Sequence, residues 1–295
     1  MGIPDMRIAT ETWIDYAEDS ARAQRLADNY YRLTFEELVK QVWNERSNVP
    51  ADTLRRRLHG IDSESRKHEE ELRSGGWMNF LPENDPVLEL GCGTGGFLVP
   101  LAARAMAVGV DVSLTWLITA KKRMEEAGVS CQLVCACAEQ LPFQDNTFRS
   151  VAAFDVLEHV DQIDPVVHEV ARVIQPKGFL VATTPNRFSL TADPHVGVWG
   201  VGLLPRSRMT AYVKWRSGLD YLHAHPQSLF DLRRCIGPLF KLQVSAPEIW
   251  SEDLQQFRPM KQRVARLYNY FLRLNLIRKL IVPIVPFFRV TAQKL

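Results

Sequence analysis

Residues 86–97 read Pro86-Val87-Leu88-Glu89-Leu90-Gly91-Cys92-Gly93-Thr94-Gly95-Gly96-Phe97. An apolar run of strand length enters a glycine-rich turn and passes into a helical stretch marked by Phe97, Leu98, Leu101 and Ala102. Such a turn lets a ligand approach the backbone closely at the head of the following helix. Gly91, Gly93 and Gly96 satisfy a G-x-G-x-x-G spacing. Asp111 follows Gly91 by 20 residues, at the end of the next apolar run, where ribose hydroxyls are bound in folds of this kind.

Outward from this unit, short apolar runs alternate with helical stretches, which signals a mainly parallel sheet with crossover helices. Strands are predicted near 86–90, 106–111, 131–137, 150–154 and 178–184, with two more near 240–245 and 287–293. Helices are predicted near 96–105, 113–127, 164–174 and 228–236. Ser113 and Gly128 bound the second of these, Asp164 and Pro165 open the third, and Ser228 with Asp231 forms a capping box before the fourth. Residues 9 to about 74 read as helices, with a Thr34/Glu37 capping box and stops at Gly60 and Gly75-Gly76. The expected class is α/β: a Rossmann-like, doubly wound, seven-stranded sheet with an N-terminal helical extension (1–80) and a C-terminal helical insertion (247–286) before the last strand.

The net charge of +2 conceals an asymmetry: residues 1–180 hold 19 Lys+Arg against 28 Asp+Glu, and residues 181–295 hold 17 against 6. A basic C-terminal third suits an anionic surface or a phosphorylated substrate. Five cysteines do not make a disulfide framework. Cys131, Cys135 and Cys137 share one face of a predicted strand without a fourth metal ligand at suitable spacing, so they read as core residues. The N-terminus has no secretory pattern, and Met6 stands where a myristoylation site needs Ser or Thr. A cytoplasmic protein is expected, with the inner face of a membrane as the alternative location.

Glu89 separates two cofactor classes. A dinucleotide would lay its pyrophosphate in the crevice this carboxylate enters, and like charges repel strongly in a partly dry cleft. S-adenosylmethionine has no phosphate and carries an ammonium and a sulfonium, so the same carboxylate attracts it. A nicotinamide oxidoreductase is therefore the weaker reading.

Val87 to Gly95 resembles the first motif of class I S-adenosylmethionine-dependent methyltransferases, and Val108-Gly109-Val110-Asp111-Val112-Ser113 resembles the second. Ala138-Glu139-Gln140-Leu141-Pro142-Phe143 with Asp145-Asn146-Thr147-Phe148, then Phe154-Asp155-Val156-Leu157-Glu158-His159-Val160, then Glu169 to Gly178 follow in the family's order. The likeness is to the type 11, ubiquinone-biosynthesis O-methyltransferase-like branch, and Thr184-Pro185-Asn186-Arg187 strengthens it. It implies a methyltransferase domain over 81–295, with a substrate loop or lid at 185–226. It also implies that Glu89 orients the methionine ammonium, that Gly91 and Gly93 line its path, that Asp111 takes the ribose hydroxyls, that Ala138 and Glu139 flank adenine, and that Cys92, Gly95, Val112 and Phe154 also belong to the cofactor-binding set. Cys137 stands where the family usually has Asp, and Lys177 replaces a glycine.

Methyl transfer is an in-line displacement for which a protein supplies chiefly alignment. A hydroxyl acceptor must also lose a proton, and His159, after the fourth strand and with an ordinary pKa of about 6.5, is the candidate base. Asp155, Glu158 and His159 resemble an arrangement through which ubiquinone O-methyltransferases hold a divalent metal. Asn186 and Arg187 are candidate substrate contacts. The segment after the fourth strand lacks the Asn/Asp-Pro-Pro pattern of amino methyltransferases, so oxygen, or secondarily carbon, is the expected acceptor atom, and nucleic acid is not an expected partner. A small-molecule or lipid-linked acceptor is. A methyltransferase fold serving only as a binding module is the non-enzymatic alternative. Met260, Val264, Leu267, Phe271, Leu274 and Ile281 form one helical stripe, expected to cover the protein's own sheet or a second subunit, or alternatively to meet an anionic membrane.

Overall fold

The computed structural model describes residues 2–8, 14–45, 58, 60–61, 64–70, 72, 77–222, 224–249 and 259–295. The stop expected at Gly75-Gly76 lies outside the described residues. Seven strands form one sheet: β1 (Pro86–Leu90), β2 (Met106–Asp111), β3 (Gln132–Cys135), β4 (Phe148–Phe154), β5 (Ile174–Pro185), β6 (Phe240–Ser245) and β7 (Phe287–Lys294), in the order β3-β2-β1-β4-β5-β7-β6. This is the doubly wound sheet that the sequence predicts.

The chain divides into two compact units. The first comprises residues 1–154, 164–181 and 293–295. Here β1 runs parallel to β2 and β4, and β2 parallel to β3, so Glu89 sits in register between Gly109 and Ala152. The helices α1 (Tyr16–Asn29) and α2 (Phe35–Glu45) pack on α4 (Leu114–Glu126), with Leu26, Tyr30, Leu38, Val42 and Ile118 in a shared apolar cluster. A short α3 (Leu98–Ala102) follows the glycine turn. Thr34 and Glu37 form the expected capping box. Ser113 caps α4 as expected and is itself held by Asp19, which accepts from the Ser113 hydroxyl at 2.7 Å and the Leu114 N–H at 2.8 Å. Asp19 also pairs at 2.8 Å with Arg7, both side chains being nearly inaccessible. The first residues add a further rung beside β3: Met6 N–H donates to the Cys135 carbonyl at 2.7 Å, and Cys135 N–H to that of Pro4 at 2.9 Å. In α5 (Ile163–Val173) the start lies before Asp164, which falls within the first turn instead of capping it.

The second unit comprises residues 155–163 and 182–292. It holds α6 (Arg206–Ser217), α7 (Leu229–Ile236), α8 (Pro259–Arg273) and α9 (Asn275–Ile281). The capping box of Ser228 and Asp231 is present. Helix α6 lies inside the stretch that sequence reading treats as a non-periodic loop. Only Met209 and Val213 of α6 are buried, too few to print a stripe, although the left-handed Gly218 at its end is a stop signal.

Candidate functional site

In the first unit β1 delivers Glu89 to the foot of the glycine turn. Its side chain is 4% exposed, and its Oε2 has no hydrogen-bond partner. Burial, reinforced by the nearby carboxylates of Glu64 and Asp111, pushes its pKa well above the ordinary carboxylate range. A buried acid left this way is costly unless a partner arrives. An ammonium is such a partner, and a phosphate is not.

The turn is built to expose backbone. Gly93 and Gly95 take left-handed φ values of 48° and 76°. A Cβ at Gly95 would lie 3.1 Å from that of Ala120, whereas one at Gly93 would meet nothing within 4 Å, leaving that face of the turn open. The Cys92 side chain is buried in the core, so only its backbone faces the turn. Asp111 is fixed by two backbone donors, Gly93 N–H to Oδ2 and Ser113 N–H to Oδ1, each at 2.8 Å. Each oxygen keeps a lone pair for a hydroxyl. Burial outweighs these two bonds and raises the Asp111 pKa to about 6. Val112 gives its carbonyl to Arg7 at 3.2 Å.

Ala138 and Glu139 lie in the turn after β3, partly exposed. The adjoining loop is braced by Arg172, which donates to the carbonyls of Leu141 and Phe143, to Asp145 and to Glu169, while Glu169 accepts the Leu141 N–H at 2.7 Å. Cys137 is buried, its Sγ 3.1 Å from the Tyr16 hydroxyl of α1. Phe154 ends β4 in an aromatic cluster, with ring centroids 4.7 Å from Phe97, 5.4 Å from Trp77 and 5.3 Å from His68.

Glu64 and Ser65 contribute what sequence reading missed. The Glu64 carboxylate accepts from Thr94 at 3.3 Å and from Arg123 at 3.0 Å, and Ser65 donates to the Gly96 carbonyl at 2.9 Å. A Cβ at Gly96 would run into the Glu64 side chain. Three carboxyl groups, Glu64, Glu89 and Asp111, therefore attend one turn. Glu64 stands in a run of mixed charge that is indistinguishable in sequence from a solvated face.

The second unit holds the other candidates. Residues 155–160 form turns and bends instead of a helical face, and Asp155 has a left-handed φ of 53°. Asp155 is exposed and accepts from the Thr183 hydroxyl at 3.1 Å. Glu158 is fully buried. Its Oε2 accepts from Thr184 at 2.9 Å and its Oε1 has no partner. Burial and the charge of Asp155 push its pKa up. His159 meets His195 edge to face, with centroids 5.1 Å apart. Potential ligand atoms of Glu158, His159 and His195 lie within 4.8 Å of one another. Among the described residues His195, and not Asp155, completes that group. Asp193 steadies His195: it accepts the His195 N–H at 2.9 Å and the Tyr221 hydroxyl at 2.7 Å.

The carboxamide of Asn186 is used within the chain, donating to the carbonyls of Pro283 and Val285 and accepting from Phe188 N–H. Arg187 donates to the carbonyls of Gly202 and Leu204 and lines a small cleft with Asp193, Pro194 and Gly202. Gly202 lies so close that a Cβ there would collide with the Arg187 carbonyl oxygen.

Residues 88–182 match the family model of a methyltransferase domain. A ubiquinone/menaquinone biosynthesis C-methyltransferase of Desulfotalea psychrophila is 40% identical over 120 residues, 37% of this chain and 48% of that one. A ubiquinone biosynthesis O-methyltransferase of Chelativorans is 34% identical over 102 residues, 34% and 40% of the two chains. A 24-methylenesterol C-methyltransferase of Arabidopsis thaliana is 30% identical over 119 residues, 38% and 33%. The chain thus spans about one third to one half of the length of these relatives. Among solved structures, phosphoethanolamine N-methyltransferase 2 of Haemonchus contortus, in complex with phosphomonomethylethanolamine and S-adenosylhomocysteine, superposes with a TM-score of 0.51 at 19% identity, over 78% of this chain and 52% of that one. A Pyrococcus horikoshii protein does so with 0.50 at 17%, over 78% and 91%. At such identities the likeness is one of fold. Residues 88–182 thus match a methyltransferase domain, and the chain shares the fold of these solved structures.

Proposed function

We propose that this protein transfers the methyl group of S-adenosylmethionine to a hydroxyl oxygen of a small or lipid-linked acceptor. The donor half of this reading rests on Glu89, whose unpartnered buried oxygen beside an open glycine turn asks for a cation. When bound, S-adenosylmethionine supplies a methyl carbon already activated by its sulfonium. Glu89 then holds the methionine ammonium, the exposed backbone of Gly93 allows close approach, and Asp111 holds the ribose hydroxyls.

The observation that favours oxygen is the group formed by Glu158, His159 and His195. His159 takes the proton of the acceptor hydroxyl as the oxygen forms its bond to the methyl carbon and the old carbon–sulfur pair leaves with sulfur. Glu158, whose carboxyl reaches to within 4.8 Å of ring nitrogens of both histidines, stabilises the charge that His159 gains. The same group supports a second reading: one carboxylate and two imidazoles suit a divalent transition metal, and Glu158 Oε1 has no competing partner. Such an ion would lower the pKa of an acceptor hydroxyl.

Incubation of the protein with trideuteromethyl donor and a cell extract, followed by mass spectrometry, tests both halves. A label on a hydroxyl oxygen is the expected result, and a label on carbon overturns the oxygen assignment. Activity that survives exhaustive chelation disposes of the metal.

A further inference from the structure

We propose that α8 and α9 form a docking surface for an anionic lipid bilayer. The proposal concerns binding and stands independently of which atom is methylated. Among the described residues, 16 of the 21 exposed large hydrophobic side chains belong to the second unit. The face that α8 turns inward is not the stripe evident in the sequence. Ala265 and Leu272 are buried, whereas Met260, Val264 and Leu267 are 75%, 63% and 52% exposed. At 100° per residue the exposed stripe lies roughly 120° around the helix from the buried pair. The short α9 that follows is likewise exposed, with Leu276 and Leu280 at 78% and 72% exposure and no residue buried.

Charge selects the occupant. Residues 259–281 carry Lys261, Arg263, Arg266, Arg273, Arg278 and Lys279 and no Asp or Glu. All six are exposed, and Arg273 lies 4.0 Å from Glu248. A second copy docking by the same face would set these cations against their equivalents, because a two-fold interface is self-complementary. An anionic bilayer neutralises them while its acyl boundary accepts the leucines, and long basic side chains reach outward from an apolar stripe to do so. No helix of the described residues is long and apolar enough to cross a membrane, so the contact is one of lying on the surface.

The test is co-sedimentation of the full chain with vesicles of phosphatidylcholine alone or mixed with phosphatidylglycerol. Binding to the mixed vesicles only, lost in molar salt, is expected. A basic residue near such a surface contributes a factor of about five in partitioning. Arg263→Glu with Arg266→Glu should therefore weaken binding by roughly 25-fold or more. Leu267→Ser with Leu276→Ser, both at exposed positions, should weaken it by about tenfold or more while melting is unchanged. Equal recovery in the supernatant with either vesicle overturns the proposal. So does light scattering that shows a dimer broken by the same leucine substitutions, which would assign this face to a second copy.

Discussion

Glu89→Gln should have two effects of opposite sign. Wild-type Glu89 is 4% exposed, has one unpartnered oxygen, and has a folded pKa raised by burial, by Glu64 and by Asp111. Its contribution to stability is complete below its unfolded pKa near 4.5 and is lost as pH rises through the folded value. Glutamine does not ionise, so the ligand-free variant should melt at or above the wild-type temperature at neutral pH. Affinity should fall, because a charge-assisted bond to an ammonium is worth about 1.5 to 3 kcal/mol, a factor of roughly 10 to 150 in Kd. The raised pKa also means that donor binding expels a proton from wild-type Glu89. Titration calorimetry in two buffers of different ionisation enthalpy should report that release in the wild type and its reduction in the variant. Unchanged affinity in a folded variant, or a melting temperature that falls together with affinity, would refute the assignment.

Asp111→Ala should weaken donor binding by about ten- to a thousandfold, measured by calorimetry. Because Asp111 titrates at about 6 in the free protein, wild-type affinity should also decline as pH falls through that value. His159→Ala should lower kcat by about 10²- to 10⁴-fold with donor affinity nearly intact; turnover close to wild type would make His159 structural. Gly202→Ala drives a Cβ into the Arg187 carbonyl oxygen, so chemical denaturation should show a loss of roughly 3 kcal/mol or more. Lys177 holds a left-handed φ of 61°, and Lys177→Gly should stabilise the chain by about 0.5 to 1 kcal/mol, seen as a melting temperature raised by a few degrees.

The glycine turn and the two carboxyls of the proposed donor site stand out in the sequence because they are contiguous. Strand, turn and helix around Glu89, and Asp111 one crossover later, declare themselves by spacing. Glu64, Tyr16 and His195 were not legible, since each reaches its place from a distant segment whose local pattern is that of an ordinary solvated helix or loop. Asn186 shows the converse: its motif position suggests a ligand contact, yet its amide closes the end of β5 onto residues 283–285. Periodicity found the apolar stripe of α8 but carried no information about what the stripe faces. In this structure Ala265 and Leu272, from a different face, do the inward packing.

The rung that residues 4–6 place beside β3 also bears on self-association. The outermost strand of an open sheet offers a row of unpaired N–H and C=O groups on which another chain can polymerise. Here the Cys135 N–H and carbonyl are already taken by Pro4 and Met6, and the Arg7–Asp19 pair anchors that segment to α1. A chain shortened past residue 8 would lose this guard while leaving Glu89 and Asp111 in place. It should still recognise its methyl donor yet be far more prone to aggregate.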